Sequence, residues 1–90
     1  MTFSNSVIDM DTLVMVKADE GEDPARLLDA LMGIPGVDGA LELSGASDML
    51  LRIRSDSLSE SRAAIEAVKS AKGVKSAGSF LVIGERQWQR

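Results

Sequence analysis

The chain has 90 residues, enough for one small domain, with 44 % hydrophobic and 27 % charged residues and a net charge of −4. It contains no histidine, cysteine or tyrosine. Those absences exclude a Ser-His-Asp triad, a thiolate nucleophile, a Cys/His zinc site and a disulfide framework.

In chain order, residues 8–18 are rich in β-formers, and Leu13-Val14-Met15-Val16 is apolar on both faces, which predicts a central strand. A polar break follows at residues 19–22. Asp23-Pro24 then supplies an N-cap and a proline at the first helical position. The helix it opens carries Leu27, Leu28, Leu31 and Met32 on one face and stops at Gly33-Ile34-Pro35-Gly36. Residues 37–43 read as a half-buried strand, with Val37, Leu41 and Leu43 set against Asp38 and Glu42. The tight connection Ser44-Gly45-Ala46-Ser47-Asp48 leads into a strand over 49–54, which makes a hairpin. Ser57-Leu58-Ser59-Glu60 is a capping box opening a second helix, with Leu58, Ile65 and Val68 expected to point inward. That helix ends at Lys72-Gly73. Residues 74–83 form the last strand, weakened near Gly78, and residues 84–90 are a tail.

Each helix runs into its following strand through Gly-Val, at Gly36-Val37 and Gly73-Val74. Two βαβ halves with right-handed crossovers imply an α+β, ferredoxin-like βαββαβ fold. Such a fold has a four-stranded antiparallel sheet with two helices on one face. The strands carry apolar residues on both faces, so the uncovered face would be a large apolar patch of the kind that marks an interface. A homodimer packed sheet face to sheet face is the expected answer; the alternative is that tail residues such as Trp88 fold back over it.

Acidic and basic residues are unevenly spread: residues 1–60 sum to −8 and residues 61–90 to +4. Solvated faces and helix ends explain this division, and electrostatic matching between subunits is the sharper reading. With aromatics at 3 % and no basic stretch, direct nucleic-acid binding is not expected. No apolar run approaches the roughly 18 residues of a membrane span, so no membrane partner is expected. A polar start and the lack of cysteine make the cytoplasm the expected compartment.

Chemistry is sparse. The pairs Asp9/Asp11 and Glu20/Glu22 lack a complete calcium-loop pattern, so no metal is expected. The serines of residues 55–61 have no base beside them, and Gly33, Gly36 and Gly39 surround a helix end, the wrong polarity for a phosphate loop. No catalytic residue and no cofactor are expected. The hairpin turn is the most specific local feature. Gly45 admits backbone conformations closed to other residues, and Asp48 places a carboxylate at the turn mouth. Together they would suit an amino-acid zwitterion, with main-chain N–H groups for its carboxylate and Asp48 for its ammonium. The commoner reading of Gly-x-x-Asp is a pair of turn-formers, with the Asp side chain bonding local backbone.

As a whole the pattern resembles the ligand-binding (RAM) domain of the leucine-responsive regulatory protein/AsnC family, from about Asp11 to Ile83. The carriers are Thr12-Leu13-Val14-Met15-Val16, Met32-Gly33-Ile34-Pro35-Gly36-Val37, Leu43-Ser44-Gly45-Ala46-Ser47-Asp48-Met49-Leu50-Leu51 and Lys72-Gly73-Val74-Lys75-Ser76-Ala77-Gly78-Ser79. The third looks like the family's Gly-x-x-Asp hairpin and the fourth like its closing strand. The resemblance implies a non-enzymatic module of transcriptional regulation that senses an amino acid or similar small effector. It implies dimerisation through the sheet and further assembly into rings such as octamers. By position it nominates Gly45, Ala46, Ser47 and Asp48, with Ala77 and Ser79 as secondary effector contacts. Ser47 stands where the family often has an aromatic, and Ala77 where Thr is frequent. Too few residues precede the domain for a helix-turn-helix, so residues 1–90 are expected to be one domain, with full-length relatives as possible partners. A dimeric α+β-barrel enzyme and a purely structural oligomerisation domain remain the alternatives, and an ACT domain is a close cousin of the first reading.

Overall fold

Two capped helices set the frame. In the computed structural model, which describes residues 10–84, Asp23 accepts a hydrogen bond from the Ala25 N–H (3.1 Å), with Pro24 as the first helical residue. Ser57 does the same for the second helix, its Oγ accepting from the Glu60 N–H at 3.2 Å. The Glu60 carboxylate reaches back to the Asp56 N–H at 3.3 Å, one residue earlier than an ideal capping box places it. The elements run β1 (Met10–Ala18), α1 (Pro24–Leu31), β2 (Val37–Glu42), β3 (Met49–Ser55), α2 (Leu58–Lys69) and β4 (Val74–Leu81). The sheet order is β2-β3-β1-β4, antiparallel throughout, as the ferredoxin-like reading requires. The tail beyond residue 84, including Trp88, and residues 1–9, including Asp9, lie outside the described residues.

Strand alternation builds the core. Val14, Val16 and Ala18 of β1 and Met49, Leu51 and Ile53 of β3 point to the helix side, where Leu27, Leu31, Ala64 and Val68 cover them. The helices differ from expectation in detail. In α1, Leu27 and Leu31 are buried, but Met32 caps the helix and is exposed. In α2 the buried stripe is Ser61, Ala64 and Val68, while Leu58 is exposed and Ile65 half-buried. Leu58 opens the first turn, whereas Ser61 lies within the layer because its hydroxyl bonds that of Ser55.

Two strands also depart from the expected pattern. A bulge between Val37 and Gly39 shifts the β2 register, so Val37 is buried under the helices and Leu41 projects from the opposite face. One extra residue reverses the facing of all that follows. β4 ends at Leu81 rather than at residue 83; the Val82 N–H makes one last bond to the Asp11 carbonyl (3.1 Å), and Ile83 is exposed.

The face without helices is apolar over one row, mixed over the next and charged beyond it. Leu41, Leu50 and Met15 share the first row, and Arg52 shares the second with Leu13 and Phe80. Arg52 Nε donates to Asp38 (2.7 Å), and in the row beyond Arg54 Nε donates to Asp11 (3.0 Å). The composition of the strands predicts the apolar row; the ion pairs depend on cross-strand register.

Candidate functional site

The hairpin between β2 and β3 is closed by the Leu43 N–H donating to the Asp48 carbonyl at 2.9 Å. Gly45 has φ +117°, and a Cβ there would meet no atom within 4 Å. The left-handed backbone, not crowding, is what requires glycine. Gly45 and Ala46 are exposed; Ser47 and Asp48 are half-buried.

Asp48 does more than shape its own turn. Its N–H donates to the Val16 carbonyl (2.9 Å), and its carboxylate accepts from the Ala18 N–H (2.7 Å), 30 residues away. That amide lies at the register shift between Lys17 and Ala18, where the β1–β4 ladder breaks. The carboxylate satisfies an amide that the sheet leaves unpaired. This long-range bond replaces the local one expected of a turn-former. Lys17 Nζ donates to the Ala46 carbonyl at 3.2 Å, so the end of β1 grips the hairpin from two sides.

Of the six nominated residues, five gather at this end of the sheet. Ala77 pairs with Val16, directly across β1 from the hairpin. Ser79, opposite Val14, lies two residues further along the strand, about 7 Å away. Lys17 joins the group although nothing in its spacing nominates it. Its sequence signal is slight: a single cation at the close of an apolar strand, whose contact with residue 46 is set by the fold.

A cleft of about 440 Å³ lies at the opposite end of the sheet, between Gly36, Asp56 and the first turns of α2. Two of its polar groups serve the helix cap: Ser55 Oγ donates to the Ser57 carbonyl (2.9 Å), and Glu60 accepts from the Asp56 N–H. Among the described residues, no group of three His, Cys, Asp or Glu is placed to hold a metal ion, and no helix is long and apolar enough to cross a membrane.

The sequence profile of the Lrp/AsnC ligand binding domain matches residues 11–87. The structure of E. coli AsnC superposes with a TM-score of 0.75 at 12 % identity, covering 100 % of this chain and 61 % of that one. Transcriptional regulator NMB0573 of Neisseria meningitidis, solved as a complex with L-Met, gives 0.72 at 20 % identity, over 98 % of this chain and 58 % of that one. TTHA0845 from Thermus thermophilus gives 0.72 at 20 % identity, over 90 % of this chain and 99 % of that one. Homocitrate synthases of Saccharolobus islandicus and Saccharolobus solfataricus are 30 % identical over 74 residues, which is 82 % of this chain but only 16 % of those enzymes. The profile match runs from the first described strand through the hairpin and past β4, and on it the chain belongs to the Lrp/AsnC ligand-binding domain family.

Proposed function

We propose that the chain is a non-enzymatic sensing and oligomerisation module of transcriptional regulation, binding an amino acid or similar small effector at its hairpin. The family profile over residues 11–87 carries this reading. The N. meningitidis regulator, which shares this fold over 58 % of its length and was solved as a complex with L-Met, supports an amino-acid ligand. Main-chain N–H groups around Gly45, Ala46 and Ser47 would receive the effector carboxylate, and the Asp48 carboxylate its ammonium. The bond from Ala18 fixes the orientation of that carboxylate before any ligand arrives. Ala77 and Ser79 would line the approach along β4. The uncovered sheet face makes the dimer, and dimers associate further into rings, with effector bound between them. A similar segment inside homocitrate synthases supports a module that serves a partner, and mixed assembly with Lrp/AsnC relatives is one such partnership.

The test is thermal melting of the purified protein against each of the twenty amino acids, with mass followed by light scattering. A ligand at a hundred times its Kd stabilises by about 2.7 kcal/mol, which moves the Tm of a domain this size by several degrees. Asp48→Ala should remove that shift and leave the dimer intact. If no amino acid moves the Tm, the structural-oligomerisation alternative takes its place.

A further inference from the structure

The cleft of about 440 Å³ at the end of the sheet away from the hairpin has apolar walls and an acidic rim. Ile34 and Pro35 of the loop before β2 stand on one side, Ala63 and Ala67 of α2 on the other. Pro35 and Ala63 are exposed and Ile34 and Ala67 half-buried, so both walls offer apolar surface. Asp56 and Glu60 at the rim are exposed, and no basic side chain among the described residues pairs with either. Glu60 commits one carboxylate oxygen, Oε1, to the Asp56 N–H. The chain leaves β4 at this same end. The Val82 N–H donates to the Asp11 carbonyl (3.1 Å), and Asp11 lies opposite Arg54, which lines the cleft. Val82 therefore stands about two strand spacings, or about 10 Å, from the cleft lining.

We propose that residues 85–90 of the same chain dock in this cleft as an extended strap. The segment reads Glu85-Arg86-Gln87-Trp88-Gln89-Arg90 and holds the only tryptophan of the chain. At the period of two of an extended backbone, Arg86, Trp88 and Arg90 share one side and Gln87 and Gln89 the other. That order matches the cleft: the indole enters between the α2 alanines and Ile34-Pro35, and the flanking arginines meet Asp56 and Glu60. The length suffices, since the six residues from Val82 to Trp88 span up to about 20 Å, twice the distance required. The tether also makes docking intramolecular, at an effective concentration in the millimolar range. Residues 1–9 enter the sheet at the same end, but they carry Asp9 and no lysine or arginine, the wrong charge for an acidic rim. The strap puts Trp88 on the helix side rather than over the uncovered sheet face. It is independent of the effector reading, which concerns the hairpin at the other end.

With one tryptophan and no tyrosine, intrinsic fluorescence reports on the strap alone. Emission of the folded protein should be blue-shifted from its spectrum in urea, and acrylamide should quench it about threefold less, because packed walls exclude the quencher. Asp56→Asn combined with Glu60→Gln should give back about half of that protection, with circular dichroism confirming the fold. The chain has no cysteine, so a nitroxide label on Ala63→Cys marks the cleft and one on Leu41→Cys marks the opposite sheet face. The label at position 63 should quench most of the Trp88 emission, and the label at 41 should leave it unchanged. Trp88 as accessible in the folded protein as in urea overturns the docking. Quenching from 41 and not from 63 overturns the cleft and lays the tail over the bare sheet face. A labelled Ala63→Cys, Trp88→Phe chain that quenches unlabelled parent in a mixture assigns the strap to a second copy and overturns the same-chain proposal. Protection unchanged in the folded Asp56→Asn, Glu60→Gln chain overturns the arginine contacts.

Discussion

The two βαβ halves of the molecule follow the same local design and end differently. Each helix starts from an extended N-cap residue, Asp23 (φ −80°, ψ 113°) or Ser57 (φ −146°, ψ 156°). Each leaves through a glycine in the left-handed region, Gly36 (φ +98°) or Gly73 (φ +96°), directly followed by the valine that opens the next strand. Each glycine carbonyl accepts an N–H from the other half, Arg54 at Gly36 (2.9 Å) and Asp19 at Gly73 (2.8 Å). The difference lies in what covers them. Gly73 is buried, and Glu22 lies so close that a Cβ would come within 2.9 Å of its carboxyl carbon. Gly36 is exposed and opens onto the cleft beside α2. Similar turn chemistry therefore gives a sealed junction at one end of the sheet and an open one at the other, and a side chain from the loop between β1 and α1 decides which.

Substitutions at the two junctions should break this near-symmetry unequally. Gly73→Ala adds to the left-handed strain a contact that the flexible Glu22 side chain relieves by swinging aside, so it should cost about 2 kcal/mol in urea denaturation. Gly36→Ala faces the same strain, but its Cβ would only touch that of Ala64 at 3.4 Å, so a loss of about 1–2 kcal/mol is expected. In a Glu22→Ala background the two penalties should converge; if they stay apart, the contact is not the cause. Asp48→Ala cuts the bond joining the end of the first half's β1 to the start of the second half. It orphans the buried Ala18 N–H and should cost about 1–2 kcal/mol, with Asp48→Asn costing less because an amide oxygen still accepts. The smallest effects belong to the caps: Asp23→Ala and Ser57→Ala should each lose about 1 kcal/mol, and a much larger loss at one would show that the halves do not fold as equals.

Much of the fold was legible because it rests on local rules. Asp23-Pro24 and Ser57-x-x-Glu60 cap helices wherever they stand, and Gly-Val at both helix exits marks the left-handed residue and the strand after it. Hydrophobicity alone does not orient every side chain. Leu58 is apolar but lies in the first turn of its helix, whereas Ser61 is buried because Ser55 satisfies its hydroxyl. Leu41 alternates correctly in sequence with Leu43, yet the bulge before Gly39 turns it away from Val37. At the candidate site, Gly45 and Asp48 stood out by their spacing. Their grip on β1 did not, because the bonds to Ala18 and from Lys17 cross 30 and 29 residues.

The sequence by itself determined an α+β fold built without histidine, cysteine or tyrosine. It also determined the order of the elements and the left-handed turn at Gly45, since composition, caps and glycine conformations act within a few residues. Only the tertiary structure decided that Asp48 serves Ala18, that Glu22 closes one junction and leaves the other open, and that the bare face carries two ion pairs, one of them in the row of Leu13 and Phe80. Those facts depend on register, and one bulged residue in β2 is enough to choose which side chains a second copy would meet.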